Sequence, residues 1–303
     1  MLRTGLVLGV ALLAAGCGGG KAVATHPSLF GYDRGAPLGF RDRGPVNRGY
    51  PIQVRDVSYA SPRGGRVSAY LVVPPGKGPF PAVLYLHGTG EDRTRLAVPA
   101  AWLAARGAVG LAVDSAFERA SGPEPADPVK RLEHERDLTA QTIVDLRRGV
   151  DLLASLPQVD AKRIGFVGYS SGAKLGAILA GVEPRIRAFD LMSGGSAPLA
   201  SFVAAAPPSL RTPVRRVLGE IDPLRYVRRA RPSALFFQDG LRDTIVPHAQ
   251  LAALAAAGSS PKQIRWYRAD HGLDAQAFRD QLAWLSRELG VRGPVVAGAQ
   301  TRP

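Results

Sequence analysis

The feature that most limits the fold of this chain is a regular exchange of short apolar runs and helical patterns between about residues 50 and 290. Pro81 to Leu86 and Ala108 to Val113 are apolar runs of strand length, the form taken by strands covered on both faces. Arg163 to Val167, Ile186 to Met192, Ala234 to Phe237 and Ile264 to Tyr267 are further strand candidates. Between and after them, Leu96 to Arg106, Leu138 to Leu156, Ser171 to Ala180 and Ala275 to Leu289 place apolar residues at helical spacing. Ile52 to Ala60 and Arg66 to Val73 read as an initial strand pair around the turn Ser61-Pro62-Arg63-Gly64-Gly65. This alternation predicts an α/β fold, a mainly parallel twisted sheet with helices on both faces. In such sheets reactive loops lie beyond the carboxyl ends of the strands, so chemistry is sought there.

Composition narrows the function. The apolar share is 46% and the charged share 21%, which suits a globular domain and not a disordered or coiled-coil chain. One cysteine excludes a disulfide scaffold, and with only five histidines beside it no metal site is expected. The net charge is +14, carried mainly by arginine, since only six of the 39 basic residues are lysine. These arginines are scattered and form no basic run, so they read as a solvated cationic surface, with no nucleic acid as partner.

Residues 1–17 read as a signal peptide. Arg3 gives a positive start, Gly5 to Ala15 is apolar, and Leu13-Ala14-Ala15-Gly16-Cys17 resembles the bacterial lipobox. Ala14 stands where that motif usually has leucine; the alternative is an ordinary secretory cut after Ala22-Val23-Ala24. Lipidation of Cys17 implies an exported protein anchored to the outer face of a membrane, with the following glycines as a tether. Residues 18–49 read as a linker and approach segment, 50–292 as the catalytic domain and 293–303 as a disordered tail.

Gly168-Tyr169-Ser170-Ser171-Gly172 carries the chemistry. It follows the candidate strand at 163–167 and opens the helix at Ser171. A sharp strand-to-helix turn pushes the central hydroxyl clear of the sheet and requires Gly168 and Gly172 where side chains would collide. Ser170 meets that condition; Ser171, flanked by Tyr169 and Ala173, does not.

With this motif the sequence resembles the α/β-hydrolase superfamily, in particular its dienelactone hydrolase-like and acyl-peptidase-like serine esterases, over about residues 50–290. The resemblance implies a triad in the order nucleophile, acid, base, each at a strand end. Asp243, in Gly240-Leu241-Arg242-Asp243-Thr244-Ile245-Val246-Pro247, fits the acid; Asp239, read as a turn former beside Gly240, is its competitor. His271, in Asp270-His271-Gly272 after the last strand, fits the base. His26, His87, His134 and His248 fit less well by chain order or position. His87-Gly88-Thr89-Gly90 resembles the family's H-G-x-G loop, so the backbone N–H groups of Thr89 and Ser171 are expected to form the oxyanion hole.

These parts imply hydrolysis of a small-molecule acyl ester through an acyl-enzyme, with no cofactor. The serine argues against dienelactone hydrolysis proper, and the short leader cannot form the β-propeller of acyl-peptidases. Amide cleavage is the second activity considered, and a non-catalytic binding protein of the same fold the alternative class. Specificity is expected from the loop at 114–134 and a cap-like insertion at about 193–230. The arginines of that insertion read first as a hydrated helix face and second as a site for an anionic substrate.

Overall fold

A computed structural model describes residues 28–46 and 49–293. The expected signal peptide, Cys17 and the tail beyond Gly293 lie outside the described residues.

Nine strands form one sheet in the order β1-β2-β3-β5-β4-β6-β7-β8-β9. The first three, β1 (Arg41–Val46), β2 (Val54–Ala60) and β3 (Arg66–Val72), run antiparallel to their neighbours. The remaining six are mutually parallel: β4 (Phe80–Leu86), β5 (Val109–Val113), β6 (Val159–Tyr169), β7 (Ile186–Met192), β8 (Ala234–Gly240) and β9 (Lys262–Tyr267). The unbroken apolar sequence of β4 and β5 is explained by their central place, where both faces are covered.

Helices form a layer on each side. α1 (Ala97–Ala104) and α8 (Ala275–Leu289) pack on one face, their Ala100, Leu103, Trp284 and Leu285 meeting Val83, Tyr85 and Phe236. On the other face lie α2 (Pro128–Ser155), α3 (Ser171–Ala180) and α7 (His248–Ala257), with Ile143, Val150, Ile178 and Leu254 over Leu84, Phe166 and Phe189. Between β7 and β8 the chain adds α4 (Leu199–Ala205), α5 (Arg211–Glu220) and α6 (Pro223–Val227), the helical content of the cap-like insertion.

Two sequence expectations change. The approach segment is not only a linker: Phe30 is buried in the core, the Tyr32 hydroxyl donates to Asp151 Oδ2 at 2.9 Å, and β1 pairs with β2. Its charged, glycine-bearing sequence hides a strand because an edge strand half exposed to water need not alternate. The loop expected at 114–134 ends early, because α2 begins at Pro128. Asp127 caps it, its Oδ1 accepting from Lys130 N–H at 2.8 Å, and Pro128 occupies the first helical position.

Two buried carboxyls make the fold sensitive to pH. Burial pushes Asp190 on β7 up to about 8 and Asp239 on β8 up to about 7, the latter helped by the negative charge of Asp243. Both exceed the ordinary carboxylate value, so the folded chain holds protons that the unfolded chain releases. Their contribution is therefore full below about pH 4, is lost as pH rises through about 7–8 and is flat above. Melting of Asp190→Asn and Asp239→Asn beside the parent at pH 4.5 and 8.5 checks this. Each variant is expected to gain on the parent between the two pH values by on the order of a few kcal/mol. A difference that does not move with pH contradicts the assignment.

Candidate active site

β6 ends at Tyr169 and α3 begins at Ser171, leaving Ser170 alone at the turn with φ 55° and ψ −117°. A non-glycine residue at positive φ is strained. Its place is fixed by neighbours on both sides: Ser170 N–H donates to Met192 O at the end of β7 at 2.8 Å, and Ser170 O accepts from Ala173 and Lys174. The flanking glycines have a steric cause. A Cβ on Gly168 would stand 2.4 Å from Gly172 O, and one on Gly172 would stand 2.2 Å from Leu86 O. The expected clash thus involves the end of β4 as well as the two arms of the turn.

Three predicted side chains meet in one hydrogen-bonded chain. His271, in the loop after β9, places Nε2 2.9 Å from Ser170 Oγ and Nδ1 2.8 Å from Asp243 Oδ2. Asp243 is almost wholly buried, and its Oδ1 accepts from the N–H groups of Ile245 and Val246 at 2.8 and 2.9 Å. These donors hold the carboxylate so that Oδ2 faces the imidazole. Asp239 is not a turn former as read from sequence; it is the penultimate residue of β8, buried, with neither carboxyl oxygen hydrogen-bonded. The His271 imidazole bonds Asp243 and not Asp239, so Asp239 takes no part in the chain.

The loop after β4 faces the elbow. Gly88 N–H donates to Glu91 Oε2 at 2.9 Å, Glu91 also pairs with Arg95, and the Arg95 guanidinium lies over the Tyr169 ring. His87 is held at both nitrogens, Nδ1 to Gly88 O at 2.7 Å and Nε2 accepting from Ser115 N–H at 3.1 Å. The backbone N–H groups of Thr89 and Ser171 have no hydrogen-bond partner among the described residues and both line one cavity of about 150 Å³. That cavity shares Glu135, Lys174 and Ile221 with a second, of about 220 Å³, beneath α4 and α5.

Sequence reading missed several residues that hold this arrangement. The His271 carbonyl accepts from Ser193 Oγ at 2.7 Å and from the Tyr169 hydroxyl at 3.3 Å. The imidazole also rests on the Tyr169 ring. Ser193 was visible only as part of a Ser-Gly-Gly-Ser stretch, which carried no sign of its role. His248, which fits the base less well by position, stacks on Trp266, 4.4 Å between ring centres. Arg211, Arg216 and Arg225 of the insertion bond Ala206 O, Glu133 and Gly219 O, and no arginine of the insertion lines either cavity. Among the described residues no group of three or more His, Cys, Asp or Glu side chains is placed to hold a metal ion, and no helix is long and apolar enough to cross a membrane.

The same fold occurs in solved structures. An acetyl xylan esterase from Paenibacillus sp. R4 superposes with a TM-score of 0.70, at 22% identity, over 84% of this chain and 90% of that one. The chain has the α/β-hydrolase fold. Residues 48–192 match the acetyl xylan esterase (AXE1) family model, a stretch that includes the loop after β4 and the turn at Ser170 and ends at β7. NocK of Nocardia uniformis subsp. tsuyamanensis, which bears the name putative esterase, is 31% identical over 240 residues, 74% of this chain and 64% of NocK. Esterase FrsA of Salmonella paratyphi B is 29% identical over 175 residues, 55% of this chain and 38% of FrsA. The chain thus spans less than two thirds of the length of these curated relatives.

Proposed function

We propose that this α/β hydrolase is an exported serine esterase that cleaves a small carboxylic ester through an acyl-enzyme. The observation that carries the reading is the continuous hydrogen-bonded line from Ser170 Oγ through His271 to Asp243. Ser170 Oγ attacks the ester carbonyl carbon while His271 Nε2 takes its proton. Asp243 keeps the Nδ1 proton in place and stabilises the imidazolium. The negative charge that develops on the carbonyl oxygen is met by the Thr89 and Ser171 N–H groups, the second at the start of α3 where the helix dipole adds to it. His271 then returns the proton to the leaving alcohol, and water repeats the sequence on the acyl-enzyme to release the acid.

The esterase names of the relatives support an ester over an amide. A panel of short-chain nitrophenyl esters, thioesters and aminoacyl amides on the purified protein tests the preference. Turnover is expected to be highest on short acyl esters, with labelling by a fluorophosphonate probe. Absence of turnover on every ester in folded protein contradicts the reading. Export rests on the sequence of residues 1–17 alone. The mature protein is expected to begin at a lipidated Cys17, and an unlipidated N-terminus at Thr25 in its mass spectrum refutes this.

A further inference from the structure

The cavities beside the elbow carry two charges that the proposed reaction does not use. Lys174 lies in the first turn of α3, its backbone N–H donating to Ser170 O at 3.1 Å, which puts it one helical turn beyond the elbow. Glu135 lies on α2, and both side chains are half-buried and line both cavities. Neighbouring charges on α2 find partners, Glu133 in Arg216 and Arg136 in Asp137 and Glu220. The side chains of Glu135 and Lys174 form no hydrogen bond or ion pair, with each other or with any other group, among the described residues. The other titratable groups on these walls are engaged: Glu118 accepts from Gly90 N–H, Asp222 caps α6 through Leu224 N–H, and His87 is held at both nitrogens.

Electrostatics selects what satisfies both. A ligand with one charge is attracted by one of these residues and repelled by the other, so the second effect offsets part of the first. An uncharged alkyl chain would take water from both charges and return nothing. A sugar could hydrogen-bond both, but its remaining hydroxyls would meet Leu132, Leu199, Leu218 and Pro223. A group that bears an ammonium and a carboxylate on one carbon answers both residues at once and leaves the apolar wall to its short chain.

We infer that the enzyme hydrolyses esters whose acyl or alcohol part ends in an α-amino-acid head, the carboxylate on Lys174 and the ammonium on Glu135. This rests on the esterase reading. The reaction adds water across the ester and releases an acid and an alcohol, so no further reactant is needed.

The test compares kcat/KM within one series. O-acetyl-L-homoserine carries both charges, 4-acetoxybutyrate only the carboxylate, 3-acetoxypropylamine only the ammonium, and propyl acetate neither. L-glutamate γ-methyl ester presents the same head on the acyl side. The doubly charged ester of at least one side is expected to exceed every analogue by about tenfold, roughly one charge-assisted hydrogen bond. Lys174→Met and Glu135→Gln are each expected to lower the ratio of doubly charged to neutral turnover about tenfold, whereas Lys174→Arg retains it. A ratio that both loss variants leave unmoved, or acetylated xylose exceeding both amino-acid esters, overturns the inference while leaving the esterase reading intact. If propyl acetate and 4-nitrophenyl acetate are also inert, the esterase reading fails with it.

Discussion

Ser170→Ala is expected to remove fluorophosphonate labelling and to lower ester turnover by on the order of 10⁴–10⁶. The magnitude follows from the loss of the only hydroxyl in contact with His271 Nε2, after which no covalent intermediate forms. What remains is the field of the Thr89 and Ser171 amides acting on water attack, a residual commonly 10³–10⁴ over the uncatalysed rate. The fold should survive, because the substitution deletes one hydrogen bond at a half-exposed site and keeps the backbone of the turn. Labelling, nitrophenyl ester kinetics and a thermal melt on the same preparation separate the cases. Labelling that persists at another residue would mean that the Ser170–His271–Asp243 line is architecture and not a catalyst.

Gly172→Ala is expected to do what Ser170→Ala does not, by breaking the turn itself. The added methyl would lie 2.2 Å from Leu86 O and 2.5 Å from His87 O, and both obstacles are backbone at the end of β4. Neither can rotate away as a side chain could, so α3 must shift or the oxyanion loop must move. Overpacking against fixed backbone puts the cost at about 3 kcal/mol or more. The melting temperature and ester turnover should fall together, because the helix that would move begins at Ser171 and fixes the turn that holds Ser170. A variant that melts like the parent would show that the close approach at Gly172 is easily relieved.

The architecture was legible where burial is two-sided. β4 and β5 announce themselves as apolar runs because no face of them meets water, and the elbow shows because two glycines are obligatory at fixed spacing. Reading failed where structure is made of polar residues. The first turns of α2 (Pro128–Ser155) run Pro128-Val129-Lys130-Arg131, with no apolar stripe to reveal them, although Asp127-Pro128 was a start signal in plain view. β1 escaped because it sits at the edge. The place of Asp243 beside His271 was reachable by resemblance. Ser193 holding the base loop from β7 was not, because its contact joins residues 78 apart and leaves no local pattern. Lys174 carried no local sign either, because it lies inside an ordinary helix.

Every group that orients His271 comes from the strand ends or the loops beside them, whereas α4, α5 and α6 supply walls to the cavity but no bond to Ser170, Asp243 or His271. The molecule is therefore divided into an engine and a faceplate. On the proposed reaction, changes in the three inserted helices would retune which molecule is admitted while the parts that act on the bond stay in register, so new appetites could arise here without rebuilding the machine beneath.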